Sequence, residues 1–197
     1  MLQRFLAVYP VTGGPAVTES PDPTPRALRA CAGGRSFADG LYRIHTHESG
    51  AEMLKQIDAA FPDAPPHTMP YGFDWLGRQF CAQRDDEHAP SLMFEPGTGE
   101  VLEIPVPFAL MHDEELVDYG NDALATDFFR EYLASGAPGP GLTQCVGYRI
   151  PLFLGGQDAL PNLELTDMDL YWHLAGQLTL RSAGLPSGTK IDSTTIE

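Results

Sequence analysis

Apolar and polar positions alternate with different periods along the chain and divide it into a helix, a run of strands and further helices. The first clear helix is predicted behind Ser49, because Ser49 and Glu52 have the spacing of a capping box. Pro62 and the Pro65-Pro66 pair end it. Its apolar face recurs at helical spacing and consists of Met53, Leu54, Ile57, Ala60 and Phe61.

Short segments rich in aromatic and β-forming residues follow this helix. Residues 71–75 and 78–83 are predicted to be strands separated by Gly77. Residues 91–95 and 100–104 flank Pro-Gly-Thr-Gly, which predicts a β-hairpin with a four-residue loop. Pro105 and Pro107 are expected to stop the second strand, since proline has no N–H to donate to a sheet.

Four further helices are predicted. A short one covers 26–32 and ends at Gly33-Gly34, and a second covers about 113–119, with acidic residues at its N-terminal end. A stronger helix covers about 122–135, before the glycine at 136. The last begins at Thr166 as its cap, buries Met168, Tyr171, Trp172, Ala175 and Leu178, and ends at Gly184 and Pro186.

A helix followed by antiparallel strands and then by more helices is typical of an α+β fold. We therefore expect a central antiparallel sheet with helices packed around it. The chain has 197 residues, which suits one domain or a domain with an appendage. Its apolar fraction of 43% is that of a globular protein, not of a disordered acidic one.

Charge narrows the choice of partners. Twelve basic and 27 acidic residues give a net charge of −15. Residues 74–131 alone hold 3 basic and 14 acidic residues, a net of −11. Binding to nucleic acid or to an anionic membrane surface is not expected of such a chain, because both need cations. A basic protein partner would be attracted, although an acidic surface can equally serve solubility alone.

Three widely spaced cysteines, Cys31, Cys81 and Cys145, form no Cys-x-x-Cys pair. This pattern is typical of buried reduced thiols in a cytoplasm. No apolar run approaches the length of about 20 residues needed to span a bilayer. The brief run before Pro10 is a poor signal-peptide core. We therefore expect a cytoplasmic protein.

No pattern of residues in the sequence indicates a particular catalysed reaction. His45 and His47 are two apart and would share one face of a strand, but a metal site needs three or four ligands and the sequence fixes two. A metal-dependent enzyme using this pair is the weakest alternative. No Gly-x-Ser-x-Gly elbow is present, and the glycine-rich loops lack the lysine of a phosphate loop. No catalytic residue, metal or cofactor is predicted.

Several segments resemble the Tdi-type immunity proteins, bacterial antitoxins encoded beside DNase effectors of type VI secretion. The most specific lie in CVGYRIPLFLGGQD from Cys145 and NLELTDMDLYWHLAGQL from Asn162. GLPSGTKI from Gly184 continues the resemblance. Upstream, GLYR from Gly40, YGFDWLGRQF from Tyr71 and FEPGTGE from Phe94 also match, so that the resemblance covers about 35–190.

The resemblance implies a GAD-related N-terminal portion at 1–60 and an immunity domain at 61–197, together forming one compact unit. The fold implied is α+β in the style of the SUKH immunity superfamily. The implied activity is neutralisation of a toxin by direct protein binding, without catalysis or cofactor, by a monomer or weak homodimer. The alternative is a general SUKH-like binding module whose partner is not a toxin.

A nuclease has a cationic cleft, and an acidic protein is suited to cover it. Electrostatic contact is expected from exposed carboxylates, namely Asp85, Asp86, Glu87, Asp113, Glu114 and Glu115. Asp74, Trp75 and Arg78 mix charge with an aromatic ring, as interface hot spots do, and are predicted to line a recognition cleft. The alternative for these three is a structural turn held by an Asp–Arg pair.

Overall fold

A seven-stranded antiparallel sheet forms the centre of the computed structural model, and its strands lie side by side in chain order. The structure describes residues 2–14, 16–18, 20 and 22–183. The strands are β1 (Val11–Gly13), β2 (Ser36–Phe37), β3 (Tyr42–Ile44), β4 (Thr68–Asp74), β5 (Gln79–Gln83), β6 (Pro90–Glu95) and β7 (Glu100–Pro107). A separate antiparallel pair is formed by β8 (Gln144–Tyr148) and β9 (Leu163–Asp167).

Helices surround the sheet. They are α1 (Gln3–Val8), α2 (Pro25–Ala32), α3 (His47–Ala60), α4 (Phe108–Leu110), α5 (Leu116–Asp118), α6 (Gly120–Leu124), α7 (Thr126–Ala134) and α8 (Met168–Ser182). A single π-helical turn, Met111–Glu115, joins α4 to α5. The sheet and the helices around it confirm the predicted α+β architecture.

The two faces of the sheet carry two separate apolar cores. Phe94 on β6 points to the face covered by α3 and α8, where it packs with Trp172 and Ile57. Its neighbour Met93 points to the opposite face, in the larger core with Tyr42 and the remaining helices. This alternation follows from the two-residue period of a strand, and it buries both sides of the central strands.

The boundary predicted between the N-terminal portion and the immunity domain, at residues 60 and 61, lies between two neighbouring strands of this sheet. Strands β1 to β3 precede it and β4 to β7 follow it, and β3 pairs directly with β4 through Arg43 and Phe73. The two portions therefore share one sheet. The three cysteines are buried and free of disulfides, in agreement with the prediction.

Helix α3 begins earlier than predicted, at His47. Its cap is Thr46, whose side chain accepts the Ser49 N–H at 3.1 Å, while the Ser49 hydroxyl accepts the Thr46 N–H at 3.0 Å. The predicted box of Ser49 with Glu52 was therefore wrong. Threonine at the cap position satisfies the same orphan N–H groups of the first turn, and it lies just outside the apolar repeat that located the helix.

Strand β7 continues through Pro105 and Pro107, where the sequence predicted its end. The reason is its place in the sheet: among the residues that the structure describes, β7 pairs with β6 and with no other strand, so it lies at the edge. A missing N–H disrupts a central strand, but at an edge it can face away from the neighbour.

Two helices differ from their predicted forms. The predicted helix at 122–135 is interrupted at Ala125, whose φ of 50° lies in the left-handed region. The Asn121 side chain accepts the Asp127 N–H at 3.0 Å beside this break. The cap of α8 is Asp167 and not Thr166, because Thr166 pairs with Cys145 inside β9. Gly184, Pro186 and the GLPSGTKI segment lie outside the described residues.

Candidate partner-binding surface

The segment from Asp74 to Arg78, predicted to line a cleft, lies in the interior as the tight turn between β4 and β5. Asp74 and Trp75 are 0% exposed and Arg78 is 6% exposed. A partner protein therefore has no access to these three side chains in this fold. The prediction that they contact a partner is corrected to the structural alternative.

Hydrogen bonds explain why these polar groups are buried. One Asp74 oxygen accepts the N–H groups of Leu76 and Arg78, each at 3.0 Å, and the other lies 2.6 Å from the Arg78 guanidinium. Burial raises the pKa of Asp74, and the guanidinium acts against that shift. Arg78 also donates to the Ala123 carbonyl, and the Trp75 indole donates to the Leu124 carbonyl, both at 3.0 Å. The turn thereby holds α6 against the sheet.

The second predicted group, Asp85, Asp86 and Glu87, is exposed in the loop between β5 and β6. The Asp86 carboxylate accepts the His88 N–H at 2.9 Å, which fixes the shape of the loop. Asp85 lies 3.7 Å from the exposed His67 ring and Glu87 lies 3.7 Å from the His88 ring. Both of these distances are longer than a hydrogen bond, so the loop presents its three carboxylates to solvent.

The loop borders a surface groove of about 600 Å³, which we call the loop groove. Asp86 and Glu87 form part of one wall, and Phe108 and Leu110 of α4 form part of another. Residues 24–26, where α2 begins, close a third side. The groove therefore combines apolar surface with charged groups of both signs. On its Asp86–Glu87 side it suits the charged end and the aliphatic stem of a lysine or arginine side chain.

The third predicted group, Asp113, Glu114 and Glu115, lies in the π-helical turn, and its three side chains have different environments. The Asp113 carboxylate accepts the N–H groups of Gln3 and Phe5, at 3.2 and 3.0 Å, and so stabilises the start of α1. Glu114 is exposed. Glu115 is half-buried, and burial together with Asp122 and Asp118 raises its pKa. Of these three residues, Glu114 is the one whose side chain is exposed.

Two groove residues were missed by sequence reasoning. Arg26 and Arg84 are exposed and line the loop groove together with Asp86 and Glu87. They come from α2 and from the end of β5, which the fold brings together. No sequence pattern links these distant positions, and the surplus of acidic residues drew attention away from the basic ones.

The histidine pair does not converge on a metal. His45 is 3% exposed. Its Nδ1 lies 3.0 Å from the Ser49 hydroxyl, and its Nε2 lies 2.9 Å from the side-chain amide oxygen of Gln79. Burial lowers the pKa of His45 to about 4, so the ring is neutral. His47 is exposed on the first turn of α3. Within the described ranges, no three His, Cys, Asp or Glu residues are grouped as metal ligands.

The fold and the groove together define an α+β protein with a surface groove bordered by an exposed acidic loop. A solved structure with a similar fold is the crystal structure of Atu4351 from Agrobacterium tumefaciens. The TM-score is 0.60 and the sequences are 15% identical, over 90% of this chain and 89% of that chain. At this identity the likeness shows the fold alone.

No protein-family model matches the chain, and no curated protein matches it. Among residues 2–14, 16–18, 20 and 22–183, no helix has both the length and the apolar character needed to cross a membrane.

Proposed function

We propose that this protein binds a basic protein partner through the loop groove, and that the partner is a secreted nuclease toxin which the binding neutralises. The protein would then be a cytoplasmic immunity protein. The observation that carries the proposal is the exposed row of Asp85, Asp86 and Glu87 beside an apolar wall. The resemblance to Tdi-type immunity proteins supplies the toxin as the partner.

Electrostatics explains how such a surface suits an antitoxin. A net charge of −15 attracts a cationic nuclease over long distances and raises its association rate. Local carboxylates then align its basic cleft with the loop groove, where apolar contacts with the exposed Ala109 and Leu110 add affinity. A bound protein over the cleft excludes nucleic acid from it. Neutralisation of this kind needs binding and no chemical step.

Co-expression with the product of the neighbouring gene, which the proposal expects to be a basic protein, tests the proposal. We expect the wild-type protein to rescue growth and to co-purify with that partner. Persisting toxicity without a complex would contradict the toxin assignment. A complex formed without any toxicity of the partner alone would favour the general binding module instead.

A charge-reversal pair tests the surface. Replacing Asp86→Lys together with Glu87→Lys is expected to slow association by roughly tenfold or more at low salt, with a smaller effect at high salt. The matched control is Asp58→Lys together with Glu131→Lys, two exposed positions on α3 and α7 that alter the net charge equally. Equal slowing by both pairs would assign the attraction to net charge and would remove the groove from the proposal.

A further inference from the structure

The outer edge of β7 is an open position in the sheet. Strand β7 pairs with β6, and within the described residues no strand pairs with its other side. Pro105 and Pro107 remove two donors from its far end, so residues 100–104 are the part that retains every N–H group. An edge with free donors and acceptors is a template for another strand.

Apolar and acidic side chains are both exposed along this stretch. Val101 and Leu102 are 37% and 39% exposed, although they point to opposite faces of the sheet: Val101 pairs with Phe94 and Leu102 with Met93. Glu100 and Glu103 are exposed beside them. A strand added here would find an apolar contact on each face and two carboxylates along its length.

An apolar groove of about 290 Å³ begins at Val101. It is lined by the end of α3 and the following loop, including Phe61 and Pro65, and by Leu180 of α8. Its size suits one or two side chains of a strand lying along β7. The groove therefore extends the edge into a recognition surface that is separate from the loop groove.

We propose that residues 100–104 of β7 accept an extended basic segment of a protein partner as an eighth antiparallel strand. Backbone hydrogen bonds hold the segment, an apolar side chain enters the groove beside Val101, and basic side chains face Glu100 and Glu103. The inference takes from the proposed function only that the partner is a basic protein. It adds the edge of β7 as a second place where that partner binds, besides the loop groove.

Charge favours this occupant over a second copy of the chain, which carries the same net charge of −15. In the two-fold antiparallel register centred between Val101 and Leu102, Glu100 of each copy would also lie opposite Glu103 of the other. Like charges directly opposite each other destabilise a strand pair, whereas lysine or arginine opposite glutamate stabilises it.

The test uses the full chain and a synthetic capped peptide, Val-Lys-Val-Val-Lys-Val, which can place a lysine opposite Glu100 and Glu103 and a valine opposite Val101 and Leu102. We expect this peptide to slow amide hydrogen exchange at residues 100–104 and to leave the loop at 85–87 unchanged. A peptide of the same charge with two valines replaced by proline cannot supply the backbone donors, so it should give no protection. Protection at 85–87 alone, or at neither place, overturns the proposal.

Variants separate the edge from net charge. Replacing Glu100→Lys together with Glu103→Lys should weaken peptide binding by roughly tenfold. Asp58→Lys with Glu131→Lys, which alters the net charge equally at exposed positions away from both grooves, should leave it unchanged. Equal loss with both pairs, or a wild-type dimer in sedimentation that already protects residues 100–104, overturns the proposal. Failure of the adjacent-gene protein to bind at all removes the proposed function, while protection by the peptide still supports the edge.

Discussion

Two charged segments close together in sequence, the Asp74–Arg78 turn and the Asp85–Glu87 loop, have opposite environments in this protein. The turn is fully enclosed and is bound from several sides: besides its internal ion pair, the Gly77 carbonyl accepts the Trp172 indole N–H at 2.8 Å, and the Asp74 carbonyl accepts the buried Arg43 guanidinium. The loop is exposed, with its carboxylates in solvent. A charged residue in the sequence therefore does not by itself indicate a binding surface. What decides is whether its side chain is bound by other groups of the protein or is exposed to solvent.

The largest expected effect comes from the turn. Asp74→Ala removes the acceptor of two buried N–H groups and leaves the Arg78 guanidinium without its carboxylate. Breaking one half of a buried ion pair is expected to lower the free energy of unfolding by about 3–5 kcal/mol. Urea denaturation followed by far-ultraviolet circular dichroism measures this change. Asp85→Ala is the matched control in the loop, and an equal loss there would abolish the contrast between the two segments.

A second prediction concerns the pH dependence of stability that arises from the buried histidines His45 and His112. Burial lowers the pKa of His112 to about 3 and of His45 to about 4, and for His45 the Arg29 and Arg43 guanidinium groups add to the shift. In the unfolded chain both rings titrate near pH 6.5. The unfolded state then binds more protons below that pH, so stability is complete above about 6.5 and falls as the pH drops towards 4.

Each buried ring is expected to lower the free energy of unfolding by about 1–2 kcal/mol between pH 7 and pH 5. Urea titrations at several pH values measure the slope. His45→Gln should reduce the slope, because it removes one of the two buried rings whose pKa is lowered in the fold. A wild-type slope in the His45→Gln protein would show that this ring is protonated in the fold.

Local patterns predicted much of the fold. The apolar repeat located α3 and α8, and the hairpin signal located β6 and β7, because these features depend on residues close in sequence. The start of α3 was missed because its cap, Thr46, lies outside the apolar repeat. The end of β7 was missed because an edge position in the sheet allows the strand to continue through Pro105. Strands β1 to β3 are two or three residues long and too short to show a period.

The sequence predicted the exposed loop at 85–87 but not the groove beside it. The loop at 85–87 was found from its charge, and its exposure agrees with a surface role. The groove was beyond the sequence, because its walls come from α2, the end of β5 and α4, which only the fold brings together. Asp74 was assigned to the surface because its buried hydrogen-bond partners, such as the N–H groups of its own turn, leave no mark in the residue pattern.

The smallest expected effect sharpens the comparison from the loop side. Neutralising Asp85→Asn, Asp86→Asn and Glu87→Gln together should leave the urea midpoint within experimental error of the wild type. The Asp86→Asn change keeps a side-chain oxygen that can accept the His88 N–H. The three charges face solvent, and their removal reduces the existing surplus of negative charge on the chain. Asp74→Asn, the same chemical change at the turn, should lower the midpoint, because the Arg78 guanidinium would lose its counter-charge. A marked loss of stability in the triple loop variant would show that these carboxylates hold the fold together, and would make them unsuitable as a surface free to bind a partner.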